Sequence, residues 1–225
     1  MTLRVKICGL RSAAEVAMTA GADACGVIVE SPAAARSLAL PNARAVLESV
    51  PRGVLRVAVT TLTDPVALAD LGASLPIDLL QPHAVRSLTV MQQLRALLPT
   101  RVGLIIVVPI PPAGGGDAAM PRSQAGSPPP LPDLGRGWVL LDTQGTGGTG
   151  GTGLQGDWGR ARVLRDGMRD RPVFLAGGLR PDNVAAAVRS VQPDGIDASS
   201  GLERDGSKDP SLISALIDRA REAAP

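Results

Sequence analysis

Short β-branched segments alternate with stretches of helical periodicity along the whole chain, and this alternation limits the possible folds more than any single motif does. The extended segments fall at residues 3–8, 24–29, 54–60, 77–81, 102–108, 138–142, 172–176 and 194–197. Between them run apolar stripes with a 3.6-residue period, such as Ala43, Val46, Leu47 and Val50, or Val184, Ala187, Val188 and Val191, or Leu212, Ile213, Leu216 and Ile217. Strand, helix, strand in repetition calls for parallel pairing with right-handed crossovers, and eight such units close into a barrel. The expectation is therefore an α/β fold, a single-domain (β/α)8 TIM barrel over residues 1–225, with an open doubly wound sheet as the competing arrangement. Helix starts agree with it. Ser12 with Glu15 makes a capping-box pattern, and Asp64-Pro65 and Asp209-Pro210 each place a cap before a proline at the first helical position.

One stretch breaks the pattern. Residues 109–137, where a fifth helix belongs, are rich in Pro, Gly and Ser and carry no apolar stripe, so a long, partly disordered loop is expected there instead. A second glycine-rich run, GTGGTGGTG at 145–153, follows the sixth strand. No Lys-Ser/Thr pair follows these glycines, which argues against a nucleoside triphosphate loop, and the position next to Asp142 suggests a mobile active-site loop.

Composition removes several function classes. Lys and Arg total 23 against 21 Asp and Glu, a net charge of +2, which is too balanced for a nucleic-acid binder held by phosphate contacts. One Phe, two Trp and no Tyr leave no aromatic platform for stacking bases. The longest apolar runs, such as Leu104 to Val108, are far below the ~20 residues that span a bilayer. The opening segment lacks a signal peptide's apolar stretch, so a cytoplasmic location is expected, with Cys8 and Cys25 as free thiols. His83 is the only histidine, and nothing resembles a set of metal ligands.

In such a barrel the chemistry gathers at the carboxyl ends of the strands. Polar residues stand at those ends: Cys8 after strand one, Arg36 beyond strand two, Gln81 and His83 at strand four, and Asp142 at strand six. Gly177 and Gly178 follow strand seven, and Ser199, Ser200 and Gly201 follow strand eight. Gly177 and Gly178 either shape a tight turn or free backbone N–H groups for an anion. Two such loops in adjacent final units favour a phosphate. Cys8, between Ile7 and Gly9, reads on its own more readily as a small core residue than as a catalyst.

Taken together, KICGL at 6–10, SPAAARSL ending near Arg36, DLLQPHA at 78–84, LLD at 140–142, GGTG at 150–153, LAGGLRPDNV at 175–184 and GIDASSGLE at 195–203 resemble the phosphoribosylanthranilate isomerase family. They occur in order over nearly the whole chain. The resemblance implies an Amadori rearrangement of a phosphorylated aminoaldose in tryptophan biosynthesis, without cofactor or metal. It implies Asp142 as general acid and Cys8 as general base, with Arg36 pairing with the anthranilate carboxylate. Gln81 and His83 would line the pocket, and Gly177, Gly178, Ser199, Ser200 and Gly201 would hold the phosphate. The chain departs from the family pattern in the three alanines before Arg36, in VAVTT after strand three, and in Ala84 and Leu154. Another sugar-phosphate barrel enzyme, or a barrel that binds without catalysing, is the other reading. Monomer and homodimer are both compatible with the sequence.

Overall fold

The computed structural model describes residues 2–113, 135–143, 155–168 and 170–225. Eight parallel strands close on themselves: β1 (Arg4–Ile7), β2 (Ala24–Val29), β3 (Leu55–Thr60), β4 (Leu79–Pro82), β5 (Gly103–Ile110), β6 (Gly137–Thr143), β7 (Val173–Leu175) and β8 (Gly195–Ala198). Each pairs with its neighbour in sequence, and β8 returns to β1 with Lys6 opposite Asp197. The barrel expected from the sequence is the one observed, and the strand ends shift by no more than two residues.

The seven described helices are α1 (Ala13–Ala17), α2 (Leu40–Glu48), α3 (Pro65–Ser74), α4 (Leu88–Leu97), α5 (Trp158–Asp166), α6 (Val184–Val191) and α7 (Pro210–Glu222). Their starts follow from local chemistry. Asp64 accepts from Ala67 N and Asp209 from Ser211 N and Leu212 N, each just before a proline that has no N–H to satisfy. Ser12 caps α1 through Glu15 N, but the return bond goes from Arg11 N to Glu15 Oε2 at 2.6 Å, one residue ahead of the cap.

The two-residue alternation of the strands sorts side chains into two layers. Val5, Ile7, Val27, Val29, Leu104, Ile106, Val139 and Leu141 face outward into the apolar layer between sheet and helices. Val57, Leu79, Ile105, Val107, Trp138, Leu140 and Phe174 fill the barrel interior, where the Trp138 and Phe174 rings stack with centroids 4.2 Å apart. Lys6, Cys8, Gln81, Asp142 and Asp197 share the inward phase, so the polar groups at the strand ends point into the barrel mouth.

The expectation of a loop over 109–137 does not hold at its edges. Pro109 and Ile110 continue β5, Gly137 opens β6, and the chain after β5 runs beside the segment before α5 through Pro112 and Gly156. Pairing to β6 along the full length of β5 overrides the local composition. Residues 114–134 and the glycine-rich run 145–153 lie outside the described residues.

Candidate active site

A cavity of about 370 Å³ opens at the carboxyl ends of the strands, a size suited to a small phosphorylated metabolite. All ten residues singled out from the sequence line it: Cys8, Arg36, Gln81, His83, Asp142, Gly177, Gly178, Ser199, Ser200 and Gly201. Ile28, Val59, Leu140 and Ala176 give it apolar walls.

Cys8 follows β1 and is tied into the barrel by its N–H to Ala198 O at 2.9 Å. Burial pushes its thiol above the usual 9.0, against the opposing pull of the neighbouring Lys6 ammonium. Gly26 on β2 makes room for both. A Cβ there would sit 3.0 Å from Cys8 Sγ and 3.2 Å from Lys6 Cε.

Asp142, on β6, is 7% exposed, and burial together with the Asp197 carboxylate pushes its pKa up to about 7, against Lys6 and Arg86. His83 Nε2 lies 3.5 Å from Asp142 Oδ2. Burial, with Arg86 and Lys6 nearby, lowers the imidazole to about 4. Near neutral pH this contact therefore joins an uncharged imidazole to a carboxyl that is about half protonated, and it is not an ion pair.

Arg36 sits in the loop after β2, which Ser31 and Ser37 brace through Ser31 N to Ser37 Oγ and Thr61 N to Ser31 Oγ. Its Nε and Nη2 donate to the two oxygens of Glu203, both at 2.6 Å, leaving the rest of the guanidinium for the cavity. Lys208, fully buried, bonds the same carboxylate at 2.9 Å and Ser199 O at 3.0 Å. Gly177 has φ +96° and a Cβ there would collide with Thr143, while one on Gly201 would collide with Leu179 O. Both loops therefore bring bare backbone close to the cavity.

Four charged residues at the site had no role assigned from the sequence, although Lys6, Asp197 and Glu203 lie within the motifs KICGL and GIDASSGLE. Lys6 and Asp197 form a buried pair at 2.5 Å, while Glu203 holds Arg36 and Lys208 in turn holds Glu203. Lys6 and Asp197 had a signal: opposite charges in the same phase of strands that a closed barrel makes neighbours. Burial disfavours the Lys6 ammonium, yet the adjoining Asp197 and Cys8 outweigh it and raise its pKa.

Fold and cavity together define a (β/α)8 barrel whose titratable side chains converge at the mouth, the place where barrel enzymes carry their active sites. The family model for N-(5′-phosphoribosyl)anthranilate isomerase matches residues 5–219. The isomerase of Methanothrix thermoacetophila is 37% identical, covering 97% of this chain and 98% of its own, and that of Haloferax volcanii is 38% identical, covering 98% and 94%. The structure of the Thermotoga maritima enzyme superposes with a TM-score of 0.76 at 27% identity, over 98% of this chain and 99% of that one. A further isomerase structure, holding reduced 1-(o-carboxyphenylamino)-1-deoxyribulose 5-phosphate, gives 0.74 at 26% identity, with 98% and 99% coverage. The chain belongs to the phosphoribosylanthranilate isomerase family, aldose–ketose isomerases of tryptophan biosynthesis.

Proposed function

We propose that the chain converts N-(5′-phosphoribosyl)anthranilate into 1-(2-carboxyphenylamino)-1-deoxyribulose 5-phosphate, with Asp142 as general acid and Cys8 as general base. The observation that carries this reading is the convergence of a β1 thiol and a β6 carboxyl on one cavity that also offers a guanidinium and two glycine loops.

In the first step Asp142 gives its proton to the furanose ring oxygen as the C1–O bond breaks, leaving an iminium between C1 and the anthranilate nitrogen. Cys8 then takes the proton from C2, and the C2–H electron pair forms the enolamine. Protonation at C1 with loss of the C2 hydroxyl proton completes the ketone. Protons pass between the substrate and these two side chains and the electron pairs stay within the substrate, so the proposal calls on no cofactor and no metal. Arg36, held by Glu203, receives the anthranilate carboxylate on its free edge. Backbone amides of Gly177, Gly178, Ser200 and Gly201, with Ser199 beside them, receive the phosphate. Gln81 and His83 line the pocket around the sugar.

The acid must be protonated and the base ionised at the same moment. With Asp142 near 7 and Cys8 above 9.0, this combination is a minority of the enzyme. A plot of kcat/KM against pH is then bell-shaped, its acidic limb near 7 set by Asp142 and its alkaline limb above 9 by Cys8. A cytoplasmic location and action as a monomer or homodimer complete the proposal; the Thermotoga maritima relative is a dimer.

Growth complementation of a tryptophan auxotroph lacking this isomerase tests the reaction, with loss of the fluorescent substrate followed on purified protein. Growth and turnover are the expected results. A folded protein that does neither would overturn the proposal.

A further inference from the structure

Four contacts run through the buried floor of the cavity. Asp197 Oδ2 meets Lys6 Nζ at 2.5 Å, and Lys6 Nζ donates to Gln81 Oε1 at 3.2 Å. Gln81 Nε2 lies 3.3 Å from His83 Nδ1, and His83 Nε2 points to Asp142 Oδ2 at 3.5 Å. Lys6 is fully buried, Gln81 is 2% exposed, and His83 Nε2 is a buried nitrogen with no hydrogen-bond partner of its own.

Donor and acceptor bookkeeping leaves this chain little freedom. The Lys6 ammonium can only donate, so the amide of Gln81 must turn its oxygen toward it. Its NH₂ then faces His83 and can also only donate, so Nδ1 must carry a lone pair. The imidazole proton is left on Nε2, which is the nitrogen aimed at Asp142.

We propose that the Asp197–Lys6–Gln81 chain sets His83 as a neutral Nε2–H donor to Asp142, making His83 the residue that positions the acid and leaves its transferable proton on Oδ1. This rests on the reading of Asp142 as general acid. The 3.5 Å separation is long for a hydrogen bond in the free enzyme and shortens as the carboxylate forms, when a donor is most favourable. Other charges facing the pair are Arg86, whose Nη1 donates to His83 O, and Asp197 and Lys6 themselves; the low pKa of the imidazole agrees with a neutral ring.

His83 is the only histidine, so ¹⁵N-histidine labelling gives one imidazole in the NMR spectrum of the whole enzyme. The expected signature is a protonated Nε2 and a lone-pair Nδ1, unchanged from neutral pH down to about 5. Gln81→Glu, which puts an acceptor against Nδ1, should place a proton on Nδ1 and raise the titration of the ring to or above the ordinary 6.5. In kinetics, His83→Leu removes the donor, disfavours the carboxylate, and should move the acidic limb of kcat/KM upward by about one pH unit. His83→Gln, which keeps an N–H near the same place, should bring it back. Comparison with wild type cancels the titration of the substrate phosphate itself. A proton on Nδ1 in wild type, or an acidic limb that His83→Leu leaves in place, overturns the relay. If Asp142→Asn keeps its turnover, the acid assignment falls instead, and the imidazole spectrum still decides the tautomer on its own.

Discussion

At Gly26 a missing side chain decides where the Cys8 thiol and the Lys6 side chain can stand. Gly26→Ala would place a methyl 3.0 Å from Cys8 Sγ, so the thiol and Lys6 must both give way. The expected result is a roughly tenfold or greater fall in kcat with less than about 3 kcal/mol lost in denaturant unfolding, since overpacking by one methyl costs that much at most in a core that can shift. Asp142, the proposed acid, is held in a protonation state that costs stability near neutral pH. Asp142 has a pKa of about 7 in the folded chain against 3.8 ordinarily, so its contribution to stability is fully present below pH 4 and lost as pH rises through 7. Asp142→Asn should therefore stabilise the protein by on the order of 4 kcal/mol near pH 8, and by much less near pH 4, in parallel urea titrations. His83 runs the other way: lowered to about 4 from 6.5, it adds stability above 6.5 that is lost as pH falls through 4. Cys8 and Asp142 were legible in the sequence because each stands where an apolar run stops. Glu203 and Lys208 were not, because their pairing across a two-residue antiparallel ribbon has no signature in spacing or composition.

Among the elements, the strands were legible almost to the residue, since parallel strands covered on both faces read as continuous β-branched runs. Caps fixed the starts of α1, α3 and α7 in the same way. The edges of the 109–137 loop were less legible, because Pro109 and Gly137 look like loop residues until the β5 and β6 register pairs Pro109 with Asp142 and Leu104 with Gly137. Deep in the barrel, β6 and β7 are locked by the Trp138–Phe174 stack, and Gly195 on β8 leaves space for the Phe174 ring, 2.4 Å from where a Cβ would be. Phe174→Ala should cost about 3–5 kcal/mol in chemical denaturation while KM changes little, because the stack lies among the apolar residues beneath the cavity and outside its lining. A KM that rises tenfold with the loss of stability would show that the stack also sets the geometry of the mouth.

Over the whole molecule, the closed barrel separates two tasks. Its apolar interior and outer layer hold the strands in register, and that register brings groups from the ends of β1, β4, β6 and β8 to one cavity. Residues some 190 positions apart, such as Lys6 and Asp197, become neighbours only when β8 closes against β1. The central claim is that Cys8 and Asp142 divide one proton-transfer sequence between them without being needed to hold the ligand. The direct measurement is kcat for Cys8→Ala and Asp142→Asn alongside the affinity of each for reduced 1-(o-carboxyphenylamino)-1-deoxyribulose 5-phosphate. The expected result is a fall in kcat of about 10²–10⁴-fold in each variant, with the affinity within about threefold of wild type. Turnover within tenfold of wild type in either variant, with the ligand still bound, would contradict it.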